Sequence, residues 1–110
     1  MKRYARTVML KDDPKRIAEY EAYHANPWPE TNAGLLSVGI ERMYIYRYGR
    51  QLFMFMETRD DVDLARDMPN YTANPRAREW DELMRTFQET VPGAPAGSTW
   101  VEMKEVYALK

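Results

Sequence analysis

The only histidine of the chain, His24, follows Tyr20 by four residues in the segment EYEAYHANPWPE, residues 19–30. On a helix that spacing brings both side chains out on one face, one turn apart. An imidazole with an ordinary pKa of about 6.5 exchanges protons readily near neutral pH. A tyrosine beside it can orient the ring or hydrogen-bond a substrate. Pro27 and Pro29, on either side of Trp28, interrupt the helix just beyond His24 and leave room there for a small ligand. A lone histidine on a half-apolar face is also commonly a packed residue, and Tyr20, Trp28 and Trp80 read first as core aromatics.

Other chemistries find little support. Without cysteine there is no thiolate nucleophile, disulfide framework or zinc knuckle. Ser37 and Ser98 have no histidine near them in sequence, and no Gly-rich phosphate loop is present. One histidine and scattered carboxylates do not supply the clustered ligands of a zinc or iron site, so no metal is expected. A net charge of -1 with no Lys/Arg cluster provides no electrostatic footprint for nucleic acid or an anionic membrane, and neither is expected as a partner. The start MKRYARTVML meets Lys11, Asp12 and Asp13 before an apolar signal core can form, which with the missing cysteines points to the cytoplasm. Asn70-Tyr71-Thr72 matches a glycosylation sequon and is read as a plain loop.

The elements that must position His24 follow from periodicity. At 110 residues, 45 % hydrophobic and 30 % charged, the chain makes one globular domain with a modest core. Tyr4 to Leu10 reads as a strand ended by Asp12-Asp13-Pro14; Asp13 and Pro14 then open a helix that runs to about Ala25. Pro29 can start a second helical piece carrying Leu35 and Leu36, with Gly39 placed to end it. Ile40–Tyr48 and Gln51–Thr58 form a hairpin about Gly49-Arg50. A short helix is predicted over Asp60–Met68, then a polar loop. Asn74-Pro75 next opens a helix bearing Ala77, Trp80, Leu83, Met84 and Phe87 on one side and stopped by Pro92-Gly93. The loop GAPAGS leads to a last strand, Thr99 to Leu109.

The resulting order, βαββαβ with an extra helix, is α+β and ferredoxin-like: an antiparallel sheet with helices on one face. In the strand segment LFMFM, residues 52–56, both parities are apolar, where a sheet with one wet face alternates. A second copy covering the open face, and hence a homodimer, is the expectation.

Taken together, KRYARTVML, EYEAYH followed by PWPE, GIERMYIYRYGRQLFMFMET and NPRAREWDELM resemble the L-rhamnose mutarotases, including their L-fucose mutarotase relatives, over essentially the whole chain. The resemblance implies a dimeric α+β barrel of ferredoxin-like fold. It also implies an isomerase that interconverts the α and β anomers of a deoxyhexose without a cofactor. The family's proton-donating histidine falls on His24 and its sugar-contacting tyrosine on Tyr20. Its tandem Trp-Trp falls on Glu79-Trp80, and a further sugar-contacting tyrosine falls on Met43, so two positions depart from the pattern. Tyr44 lies next to Met43, but a one-residue shift in a strand reverses the face. Two other readings fit the same architecture: a non-catalytic dimer holding a small apolar ligand, and an oxygenase of similar fold.

Overall fold

The structure, a computed structural model, describes residues 1–110. Three long strands carry it: β1 (Lys2–Leu10), β2 (Ile40–Tyr48) and β3 (Gln51–Thr58), paired antiparallel with β3 in the middle. Because side chains alternate along a strand, the register decides which face each residue joins. Val8 opposes Leu52 and Arg6 opposes Met54, so Val8, Leu10, Leu52, Met54 and Met56 share one buried face. On the other face Phe53, Tyr44 and Tyr46 stay 37 %, 48 % and 61 % exposed, and no element of this chain shields them.

Four helices cover the buried face, each started by the local chemistry of its sequence. The Asp13 carboxylate accepts from the backbone amides of Lys15 and Arg16 and opens α1 (Pro14–Ala25). Asn74 does the same for α4 (Pro75–Arg85), at 2.9 Å from the Arg76 amide; a cap of this kind stabilises by about 1 kcal/mol. Between them α2 (Pro29–Ser37) starts at Pro29 and is ended by Gly39, which follows the C-cap Val38, both as its sequence predicts. Gly39 has a φ of 97°, and a Cβ there would lie 2.3 Å from Val62, so the chain turns into β2 at the one residue that fits.

The helix expected over Asp60–Met68 is displaced. Asp63 is its cap, accepting from Ala65 and Arg66, and α3 runs Leu64–Thr72 through Pro69. Two packing contacts drive the shift. Val62 is buried just before the cap, and Tyr71 in the last turn is buried against Gly34 of α2. The sequon Asn70-Tyr71-Thr72 therefore lies on a helix rather than in a loop.

The C-terminal third also departs from expectation. α4 stops at Arg85, well before Pro92-Gly93, because Phe87 drops into the core and Gln88–Glu89 (β4) pairs with Leu10 and Met9 of β1. The chain then leaves the sheet through the GAPAGS loop and returns as β5 (Val101–Met103) beside Ala5–Thr7. The predicted strand to Leu109 thus shrinks to three residues. Beyond Met103 only the first residues of β1 remain to pair with, and Val106, Tyr107 and Leu109 are 87 %, 75 % and 85 % exposed.

The sheet order β2-β3-β1-β4, with β5 alongside β4 on the same edge of β1, is the ferredoxin-like topology. Its core has two parts. Val8, Leu10, Tyr20, Leu52, Trp80, Met84 and Phe87 pack under α1 and α4, whereas Ile40, Met54, Met56, Val62 and Leu64 pack under α2 and α3. Ile45 and Trp100 touch both. Each fully buried large side chain here, such as Phe87 or Leu10, stabilises by about 1.5–3 kcal/mol.

Candidate active site

His24 stands near the C-terminal end of α1, where the helix stops at Asn26 before Pro27 and Pro29. Its ring is half-buried between two aromatic neighbours. Tyr20 lies one turn back with ring centroids 4.3 Å apart, and Trp80 of α4 meets it edge-on at 5.3 Å. His24 Nδ1 is 2.9 Å from the Tyr20 backbone carbonyl oxygen. A carbonyl only accepts, so Nδ1 carries the proton and donates it. Nε2 is then the nitrogen left with a lone pair in the neutral ring.

Burial holds the His24 pKa below the ordinary imidazole value, a depression partly opposed by the hydrogen bond to Tyr20. Near neutral pH the ring is therefore mostly the neutral form, with Nε2 ready to take a proton. No carboxylate contributes to the shift, so His24 lacks the acidic partner of a catalytic triad. Tyr20 is almost fully enclosed, and its phenol pKa is pushed up to about 12 by burial, offset in part by a hydrogen bond with the Gln88 side chain. It stays protonated throughout the physiological range. Its ring and backbone carbonyl are what contact His24.

The expected site residues are not all brought together. Tyr20, His24 and Trp80 form one group, with Trp80 buried and walling the imidazole. Glu79, beside Trp80, points outward on α4, and its Oε2 sits 2.9 Å from Arg76 Nη1. Met43 faces the helices opposite Met56 and packs against the second core cluster, while Tyr44 opposes Phe55 on the other face. The reversal of face between positions 43 and 44 is as strand alternation requires.

Three residues near His24 were not singled out for the site from sequence. Gln88 falls within the helix expected to run to Pro92-Gly93, whereas the pairing of β4 with β1 is what brings it to Tyr20. Tyr23 meets Trp80 edge-on at 6.1 Å. Arg76 lies over the Trp28 ring at 3.9 Å, and Trp28 in turn meets Trp80 at 5.3 Å. The spacing of Arg76 and Glu79, three apart on a helix, was the available signal.

Two of the open cavities on the surface lie away from His24. One, of about 490 Å³, is bordered by Tyr4 and Arg6 of β1, Leu64 and Met68 of α3, and Glu102. The other, of about 260 Å³, is bordered by Ala5, Phe55 and Met103 on the opposite face of the sheet. Neither is lined by His24. In the first, Asp63 is engaged as a helix cap and Glu102 faces Arg6 at 3.7 Å, so the groups that exchange protons most easily near neutrality are at His24 instead. The fold gathers no cluster of three or more His, Asp or Glu side chains at metal-binding geometry, and no helix is long and apolar enough to cross a membrane.

A ferredoxin-like α+β protein with one aromatic-walled imidazole is the class that fold and site define together. Comparison with known proteins takes this further. The chain belongs to the L-rhamnose mutarotase family, whose model matches residues 3–109. It is 36 % identical to the L-fucose mutarotase of Xanthomonas campestris pv. campestris, over 99 % of this chain and 89 % of that protein. It is 43 % identical to a UPF0734 protein of Dictyostelium discoideum, over 98 % of this chain and 90 % of that one. The fold also matches the crystal structure of L-rhamnose mutarotase from Formosa agariphila with a TM-score of 0.72 at 22 % identity, each chain fully covered. Tetracenomycin F2 cyclase from Streptomyces glaucescens shares the fold at a TM-score of 0.66 and 15 % identity, again with full coverage. The chain is accordingly a sugar mutarotase, a carbohydrate isomerase.

Proposed function

We propose that this mutarotase interconverts the α and β anomers of a six-carbon deoxysugar of the L-rhamnose or L-fucose kind, and that His24 moves the proton. The observation that carries the reading is the fixed tautomer: Nδ1 is tied to the Tyr20 carbonyl, which leaves Nε2 as the single working nitrogen. Neutral Nε2 takes the proton from the anomeric hydroxyl. The O–H pair becomes the C1=O1 bond, and the pair of the C1–O5 bond passes to the ring oxygen, which is protonated. The imidazolium formed in the first step is the donor at hand for O5, since O1 and O5 are bonded to the same carbon. Rotation about C1–C2 and reclosure on the other aldehyde face invert the anomer.

In this reading Tyr20 orients the imidazole through its carbonyl and its neighbouring ring, and Trp80 offers an apolar wall toward the sugar's C–H groups or C6 methyl. Contact of Glu79 with the sugar is disfavoured by its engagement with Arg76. Met43 replaces a hydrogen-bonding tyrosine of the family pattern with an apolar side chain, and belongs to the site only if the sugar reaches the second core cluster.

We also infer that the working form is a homodimer built on the open sheet face. Phe53, Tyr44 and Tyr46 on that face, and Val106, Tyr107 and Leu109 on the tail, are apolar groups that this chain leaves exposed. A second copy covers such a surface most economically.

The test is the decay of optical rotation in freshly dissolved L-rhamnose and L-fucose. Faster approach to the equilibrium value with protein than without supports anomer conversion. An unchanged decay for both sugars contradicts it.

A further inference from the structure

Glu79 stands at the sequence position of the first tryptophan of the family's Trp-Trp pair, yet its side chain is 56 % exposed and reaches back along α4 to Arg76. The guanidinium of Arg76 lies over the Trp28 ring, 3.9 Å from its centroid and well within the range of a cation–π contact. Trp28 meets Trp80 edge-to-face at 5.3 Å, and Trp80 meets His24 at the same distance. An unbroken series of contacts therefore runs from an exposed carboxylate to the reactive imidazole.

Trp28 packs against the first core cluster on its inner side, and the Arg76 guanidinium lies over its ring. Trp28 occupies the N-cap of α2 without a side-chain capping bond, between two prolines that fix the backbone but not the indole torsions. An exposed ion pair such as Arg76–Glu79 contributes little to stability by itself. What it does contribute is orientation, because a guanidinium is a plane that can stack on an indole while its edge hydrogen-bonds a carboxylate.

We infer that Arg76, oriented by Glu79, is a positioning residue that presses Trp28 onto Trp80 and so fixes the aromatic wall beside His24. The inference rests on His24 being the site of anomer conversion. Arg76 touches neither the imidazole nor the reacting oxygens, so its loss affects how the sugar is held rather than how the proton moves.

The experiment compares Arg76→Met, Arg76→Lys and Glu79→Gln with the parent. It reads anomer exchange of L-rhamnose and L-fucose by NMR and the near-ultraviolet circular dichroism of the tryptophans. Arg76→Met, which keeps an apolar stem but no cation, raises KM about three- to tenfold, the size of one lost cation–π contact, while kcat stays within about twofold. Glu79→Gln gives a smaller rise of about twofold, and Arg76→Lys falls between parent and Arg76→Met. The tryptophan dichroism weakens in the same order. Unchanged KM and dichroism in both Arg76→Met and Glu79→Gln reduce the pair to a surface salt bridge and overturn the inference. So does a fall in kcat at constant KM. Should Arg76→Met fail to fold, Glu79→Gln, which alters only an exposed charge, decides by the same two readouts. Should the parent itself fail to speed exchange, the functional reading falls, and the dichroism series alone then decides whether Arg76 orders the tryptophans.

Discussion

The His24 ring is held against Tyr20 twice: its Nδ1 donates to the Tyr20 carbonyl at 2.9 Å, and the two rings lie tilted by 30° with centroids 4.3 Å apart. Both contacts use the Tyr20 backbone and ring, and neither uses its hydroxyl. Tyr20→Phe therefore removes at most a neutral hydrogen bond, worth about 0.5–1.5 kcal/mol, and leaves the imidazole in place. Its expected outcome is a melting temperature lowered by several degrees and an exchange rate reduced by no more than about three- to tenfold. A loss on the scale of His24→Ala would mean that the hydroxyl reaches the sugar.

Burial sets the pH dependence. Because the folded His24 pKa is depressed, the neutral, proton-accepting ring persists below the pH at which a free histidine titrates, and kcat/KM holds its plateau into mildly acidic solution. The sign for stability is the same. The unfolded chain takes up the histidine proton first, near its ordinary value of 6.5, so this group's contribution is complete above that pH and is lost as pH falls from there through the folded pKa. A pH–rate profile whose acidic limb lies above 6.5 would contradict the burial of His24.

Much of this was legible in the sequence because the signals were local. Asp13-Pro14 and Asn74-Pro75 state their helix starts outright, and both caps form as their side chains require. The spacing of Tyr20 and His24 likewise leaves little choice of face. What was not legible depended on distant partners. α3 is set by burial of Val62 and Tyr71, and neither burial is visible in the local pattern of residues 60–68. The last strand looked long because Val101, Met103, Tyr107 and Leu109 share a parity, but parity cannot show that β1 ends before the tail could pair with it. Gln88 entered the site only through that same edge of β1.

Position 43 and its neighbour make a paired test. Tyr44 lies on the open face, so Tyr44→Phe is expected to leave anomer exchange within about twofold, the loss of at most one weak hydrogen bond. Met43→Ala removes volume that packs against the second core cluster and lowers stability by about 2 kcal/mol or more, read from urea melts. Tenfold slower exchange in Tyr44→Phe would place the sugar on the wrong face of the sheet for this account.

Sedimentation velocity at micromolar concentration is expected to show a dimer. The surface that must account for it includes Tyr46 and Phe53, whose rings stack 6.2 Å apart on the open face. Replacing both with Lys opposes two like charges and shifts the sedimentation to monomer. A monomeric parent would leave that apolar face without a partner and contradict the proposed assembly.

Prolonged dialysis against a chelator is expected to leave the exchange rate unchanged, since the chain gathers no group of three or more His, Asp or Glu side chains that could hold a metal ion. Activity lost on dialysis and restored by a single divalent ion would require a ligand set that these residues do not form.

The most direct measurement of the central claim is saturation-transfer NMR on equilibrated L-rhamnose and L-fucose with parent protein and with His24→Ala. The account predicts that the parent carries saturation between the anomeric protons of at least one sugar. It predicts that His24→Ala, still folded, loses on the order of a hundred- to ten-thousandfold in exchange rate, the usual scale of general acid–base catalysis. Near-normal exchange in a folded His24→Ala protein would make the imidazole a packing residue and contradict the account.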